Sequence, residues 1–245
     1  MLRAAVDLVT GAACPGCGLA GTLLCPGCDA GLSVPPTVAW PSPCPPGLVV
    51  PWTAGEYAGL LRTLLLGHKE HAQLGLGRPL GRLLAGAVRA LLEDASLVAA
   101  PVVLVPVPSR RATTRSRGHE PTFTLARRAA ETLRLDGLDV LAGRLLRVGR
   151  VQDQAGLTAE ARSANLTGAM WCPSPGLSRL ARRRRAAVVV ICDDVLTTGA
   201  TAREAQRALT ASGVHARGVA TVAATRKRVT GNVQGDPLVF RRSTD

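Results

Sequence analysis

Apolar positions recur along this chain with two periods, one helical and one extended, and the two alternate. Residues 56–66 (EYAGLLRTLLL) predict a short helix. Residues 78–93 predict a longer one: Leu80, Leu83, Leu84, Ala87, Val88, Leu91 and Leu92 share one face, with Arg82, Arg89 and Glu93 off it. Val102 to Val107 is an apolar, β-branched run that ends at Pro108-Ser109, as a buried strand would. A helix is predicted over 120–134 and a strand within 138–148, then a polar, glycine-containing excursion over 149–170 with no strong period, expected to be mobile. Ala186 to Cys192 (AAVVVIC) is the clearest buried strand, preceded by the basic run Arg182 to Arg185. A helix over 200–212 closes at Gly213, and 214–224 reads as a further strand. Strand–helix–strand alternation of this kind predicts an α/β fold, a mostly parallel sheet with helices on both faces. Ligands of such sheets bind at the carboxyl ends of the strands.

The amino-terminal part does not follow this pattern. Cys14, Cys17, Cys25 and Cys28 form two C-x-x-C pairs, Cys14-x2-Cys17-x7-Cys25-x2-Cys28. Two chelating thiolate pairs suit tetrahedral coordination of a structural Zn²⁺, in a small knuckle placed at 10–32. Four unliganded thiols or a redox pair would leave the same spacing. From 33 to 52 the chain is rich in proline, which excludes a helix or a central strand and reads as a linker. The main domain is then placed at 53–225 and a basic, flexible tail at 226–245. His68 and His71 have metal-ligand spacing but no evident third ligand, and are read as a solvated helix face.

Chemistry concentrates at Ala187 to Thr201, AVVVICDDVLTTGAT. An apolar strand delivers Asp193 and Asp194, a short apolar spacer follows, and Thr197-Thr198-Gly199-Ala200-Thr201 opens a helix. Free N–H groups and the dipole at a helix amino terminus favour an anion. Gly199 lets backbone approach it, and the threonine hydroxyls add donors. Two carboxylates would repel that anion, but they accept hydrogen bonds from vicinal hydroxyls. Phosphate and diol recognition side by side describe a ribose 5-phosphate. A strand ending in solvated acids before a capping threonine explains each part, but not the ensemble.

The segment resembles the signature with which type I phosphoribosyltransferases bind 5-phosphoribosyl 1-diphosphate (PRPP): an apolar stretch, two acids, an apolar spacer, then T-T-G-x-T. The wider order narrows the resemblance. After the cysteines come Tyr57, Leu60 and Lys69, then Val105-Pro106-Val107-Pro108-Ser109 with Arg115, Arg117, Gly118 and His119. Gln154-Ala155-Gly156-Leu157-Thr158, Arg162, Asn165, Gly168 and Ala169 precede the two acids. This arrangement, over about 12–224, is similar to the ComF-type competence family, also called amidophosphoribosyltransferase-like. Arg117-Gly118-His119-Glu120-Pro121 departs from that family's Arg-Gly-Phe-Asn-Gln.

The resemblance implies a phosphoribosyltransferase-like domain in which Asp193 and Asp194 contact the ribose hydroxyls, catalytic in that sense, and Thr197, Thr198, Gly199, Ala200 and Thr201 hold the 5-phosphate. Ser109, Arg115 and Arg117 would lie on a pyrophosphate loop, and Mg²⁺ would bridge pyrophosphate and ribose hydroxyls. It also implies a link to DNA uptake, with single-stranded DNA and a competence helicase as partners. Three readings stand: an enzyme that transfers phosphoribose to a base or amine, a module that senses PRPP or contacts DNA without transfer chemistry, and, more weakly, a docking role for the zinc knuckle toward a partner such as a helicase.

Composition changes this picture little. The chain has 245 residues, and at 47% hydrophobic but 2% aromatic its core must be aliphatic. The net charge of +13 suits anionic partners, yet all but two of the 30 Lys and Arg residues are Arg, as GC-rich coding would also produce. So few aromatic residues argue against a base-stacking platform, so any DNA contact should be to phosphate and salt-dependent. The longest apolar run, Leu97 to Pro108, is too short to span a membrane, and the first residues lack a secretory apolar core. A cytoplasmic protein without membrane insertion is expected.

Overall fold

A computed structural model of the chain describes residues 13–109, 120–149, 168–183 and 186–225. The excursion at 150–167, Arg115 and Arg117, and the basic tail beyond Thr225 lie outside the described residues.

The periodicities become real elements close to where they are predicted. A short helix α1 (Pro26–Gly31) is followed by strands β1 (Thr37–Val38) and β2 (Pro51–Thr53). Helix α2 spans Gly59–Glu70, a 3₁₀ turn covers Leu74–Leu76, and α3 runs Gly77–Asp94. The alternation then reads β3 (Val102–Pro106), α4 (Pro121–Leu135) and β4 (Val140–Ala142). Where one strand over 138–148 is expected there are two, β4 and the short β5 (Arg147–Val148), and β5 pairs antiparallel with β6 (Met170–Trp171). Helix α5 (Ser174–Arg183), β7 (Val188–Leu196), α6 (Ala200–Thr210) and β8 (Ala216–Ala224) complete the described chain.

The main sheet has six strands in the order β1-β2-β8-β7-β3-β4, and every neighbour pair is parallel except β1 with β2. The pleat divides β7 between two layers. Val190 and Cys192 pack with α3 and α4 residues such as Leu84 and Leu125, whereas Val189 and Ile191 pack with Ala205 and Leu209 of α6. Near-continuous apolar strands are what a sheet covered on both faces requires.

The proline-rich stretch is more than a connection. It supplies β1 and starts β2 at Pro51, and β2 lies one strand in from the sheet edge. Proline is tolerated there as the first residue of the strand, where a missing donor costs least. Between the two strands, residues 41–48 run along α6. The Arg203 side chain donates to the Pro46 carbonyl (2.9 Å), Gln206 Nε2 donates to the Gly47 carbonyl (2.9 Å), and the Val49 N–H donates to Gln206 Oε1 (3.1 Å). Leu48 is buried in the α6 layer. This strap has one cis peptide, Ser42-Pro43.

The cysteine-rich segment is docked on the body. Leu23, Leu24 and Leu32 pack against the α3–α4 core, and Arg82 of α3 makes a two-pronged ion pair with Asp29 at 2.5 and 2.6 Å.

Candidate ribose-phosphate site and cysteine centre

The chain leaves β3 through α4 to β4 on one side, and leaves β7 through α6 to β8 on the other. Neighbouring strands whose connections diverge open a crevice at their carboxyl ends. Register fixes what lines it. Pro106 pairs with Cys192, and the Val107 N–H donates to the Cys192 carbonyl at 2.9 Å. The turn carrying Ser109 therefore leaves beside Asp193 and Asp194. Ser109 is half-buried, and the pyrophosphate-loop arginines expected after it fall in the undescribed segment.

β7 continues through both acids to Leu196, so the carboxylates sit within its last pleats. Both are buried, Asp193 at 9% and Asp194 at 6% exposure. The Asp194 side chain reaches α2 at Lys69, and the Asp193 side chain lies against it, within reach of both the Asp194 carboxyl and the Lys69 charge. Two carboxylates are thereby offered side by side at one strand end. The Asp194 N–H donates to Asp193 Oδ1 and the Val195 N–H to Asp194 Oδ1, both at 2.9 Å. Burial, and then the Asp194 charge beside it, push the Asp193 carboxyl well above the usual carboxylate range; Lys69 pulls the other way.

Lys69 is the residue that sequence reasoning did not assign to this site. It stands in the last turn of α2, and its ammonium meets Asp194 Oδ2 at 2.6 Å. Helical periodicity gave no signal, since it marks the buried face and not a long polar side chain that reaches past it. The His68–His71 reading also needs correction. His68 is buried at 1% exposure, not solvated, because Leu76 and Gly77 fold back over the end of α2. A Cβ at Gly77 would lie 3.5 Å from the His68 ring. His71 alone is exposed, as the C-cap.

The turn after β7 opens α6, as its glycine predicts. Gly199 is the N-cap of α6 with φ 74°, a left-handed value that L side chains adopt at a cost. Thr197 and Thr198 are exposed, Thr201 is half-buried, and Gly199 and Ala200 are buried. The Thr198 hydroxyl accepts from the Ala200 N–H at 3.4 Å. No side chain of the N-cap residue itself satisfies the first turn, which leaves its N–H groups suited to an anion. The strap closes over the turn: a Cβ on Gly199 would come to 2.9 Å from Pro41 Cγ, 3.1 Å from Leu48 and 3.3 Å from Pro45. On the opposite flank, buried Glu204 of α6 accepts from the Met170 N–H at 2.9 Å, and Arg207 joins it at 2.7 Å while donating to the Met170 carbonyl. One helix thus anchors both the strap and β6, the first strand after the undescribed excursion.

The second centre lies at the amino terminus. The sulfurs of Cys14, Cys17, Cys25 and Cys28 all lie within 4.8 Å of one another. The Cys25 N–H donates to Cys14 Sγ and the Cys28 N–H to Cys25 Sγ, both at 3.4 Å. Such bonds favour thiolates over thiols. Burial raises the Cys14 thiol, but the N–H groups of Cys25, Gly16 and Cys17 outweigh it and bring it to about 6. The sulfurs of Cys25 and Cys14 push Cys28 up to about 12. Four thiols this close resist losing all their protons unless a cation sits among them. Cys44 is exposed and Cys192 buried in β7, and neither belongs to this cluster.

No helix among the described residues is long and apolar enough to cross a membrane. The chain matches no protein-family model and no curated protein.

Proposed function

We propose that the crevice between β3 and β7 binds PRPP with Mg²⁺, and that the chain is a phosphoribosyltransferase-like protein of the ComF type. The observation that carries this reading is the placement of two buried acids and a glycine-opened helix amino terminus on successive residues of one strand–turn–helix, at a point where neighbouring strand connections diverge. Asp193 and Asp194 would accept the ribose hydroxyls, and the turn Thr197 to Thr201 would hold the 5-phosphate through N–H and hydroxyl donors. Ser109, with Arg115 and Arg117 after it, would face the pyrophosphate. Mg²⁺ would come with the diphosphate, since it keeps several waters and prefers phosphate oxygens. In transfer, the bond from ribose C1 to the pyrophosphate oxygen breaks and an acceptor nucleophile bonds to C1. The departing pyrophosphate would take the electron pair and the acceptor's N–H proton would pass to water; the arginines of the loop would stabilise the leaving group, and bound Mg²⁺ would supply further positive charge there.

The four-sulfur cluster fits structural Zn²⁺. About 2.3 Å to each sulfur in a tetrahedron brings sulfurs to separations compatible with the cluster, and the N–H···S bonds complete a closed site. A closed site has no open coordination position, so its task is to hold the knuckle against α3.

The same pocket would serve a protein that binds the ribose phosphate without transferring it. The net charge of +13 favours that reading to the extent that it reflects DNA contact in a competence machinery. Titration calorimetry of PRPP with Mg²⁺ against the wild type and an Asp193→Asn/Asp194→Asn variant tests the site. Binding by the wild type, lost in the variant, is expected. A folded, zinc-loaded protein that takes up no PRPP would remove the proposal. Pyrophosphate release with an added base or amine then separates transfer from binding alone.

A further inference from the structure

Lys69 has a position that the fold alone does not require. Its side chain is 39% exposed, so its ammonium could remain in water, yet it is directed onto the carboxylate of Asp194, whose side chain is 8% exposed. The ion pair spans two elements: Lys69 ends α2, and Asp194 lies near the end of β7. Asp194 Oδ1 already accepts from the Val195 N–H, and the ammonium pairs with the other oxygen. Asp194 thus has one oxygen hydrogen-bonded and the other ion-paired but without a hydrogen-bond partner of its own. Asp193, beside it, has its Oδ1 engaged by the Asp194 N–H.

We infer that Lys69 is a positioning residue of this site, holding the Asp194 carboxylate where it accepts a ribose hydroxyl. The inference rests on the ribose-phosphate reading above and adds to it a residue on a separate element. Two adjacent buried carboxylates cannot both be charged without a counter-ion. A lysine at 2.6 Å from one of them supplies that counter-ion, and a carboxylate accepts two hydroxyl donors. Among the described residues, Cys192 on β7 feels the Asp193 charge, and His68 and Glu70 flank Lys69 on α2.

The test uses full-length, zinc-loaded protein, with PRPP plus Mg²⁺ and, separately, ribose 5-phosphate as probes. Affinities are measured by calorimetry from pH 6 to 9 for the wild type, Lys69→Met and Lys69→Arg. Lys69→Met is expected to lose about tenfold or more at neutral pH, the usual scale for removing a charged partner of a buried group. Its deficit should shrink as pH rises, because without the ammonium the acid pair holds its shared proton to higher pH. Lys69→Arg, which keeps the charge, should retain most of the affinity and a wild-type pH profile. A purely structural lysine predicts a loss that does not change with pH. Lys69→Met binding both probes like the wild type, or with a pH-independent deficit, overturns the role of Lys69 while leaving the site intact. A wild type that binds neither probe overturns the ribose-phosphate reading, and this role with it.

Discussion

Gly199→Ala probes the contact between the strap and the turn that opens α6. Gly199 has φ 74°, and the left-handed region costs an alanine about 1–2 kcal/mol. The new methyl would lie 2.9 Å from Pro41 Cγ and 3.1 Å from Leu48, inside ordinary contact distance, so the strap must move. Overpacking of that kind adds about 1–3 kcal/mol. The sum, about 2–5 kcal/mol, corresponds to a fall in Tm of about 4–20 °C for a chain of this size. Gly137 supplies the control. It has φ 87° with no atom within 4 Å of its missing Cβ, so Gly137→Ala carries the backbone cost alone. Thermal unfolding followed by circular dichroism should therefore show Gly199→Ala below Gly137→Ala, and Pro41→Ala should recover part of the difference in the double variant. If the two glycine variants unfold together, the strap does not bear on the turn, and the packing argument is wrong. If they separate, phosphate affinity should fall in Gly199→Ala and not in Gly137→Ala.

Asp193→Asn separates stability from binding. Its carboxyl is raised by burial in the folded chain, so it stabilises fully only below the unfolded carboxylate pKa, and that contribution is lost as pH rises through the folded value. The asparagine variant should be at least as stable as the wild type at pH 8, by urea unfolding, while losing PRPP. A variant clearly less stable at pH 8 would contradict the assigned direction. Cys25→Ser should abolish metal, measured by elemental analysis of protein purified without chelators, whereas Cys44→Ser, outside the cluster, should retain a single zinc per chain. Equal zinc in both variants would exclude the cluster as its site.

Much of the molecule was legible from local pattern. The 3.6-residue spacing of Leu80 through Leu92 marked α3, and the β-branched runs at Val102 and Val188 marked the central strands, because burial on one face or both leaves its period in the sequence. The two C-x-x-C pairs brought four sulfurs together for the same reason: ligands close in sequence need only a tight turn to meet. The acids and the glycine turn were legible because a single strand–turn–helix carries them all.

Tertiary structure decided whatever joined distant segments. Proline spacing could exclude a helix from the strap, but it carried no sign that residues 41–48 would lie on a helix more than 150 positions later. The alliance of Lys69 with Asp194 spans α2 and β7, and nothing in the periodicity of either element records it. His68 looked solvated beside charged neighbours and became buried only because the chain turned back over it at Leu76. Local sequence encodes which face of an element avoids water. Which element meets that face follows from strand order and connection, and those are set by the packing of the whole chain.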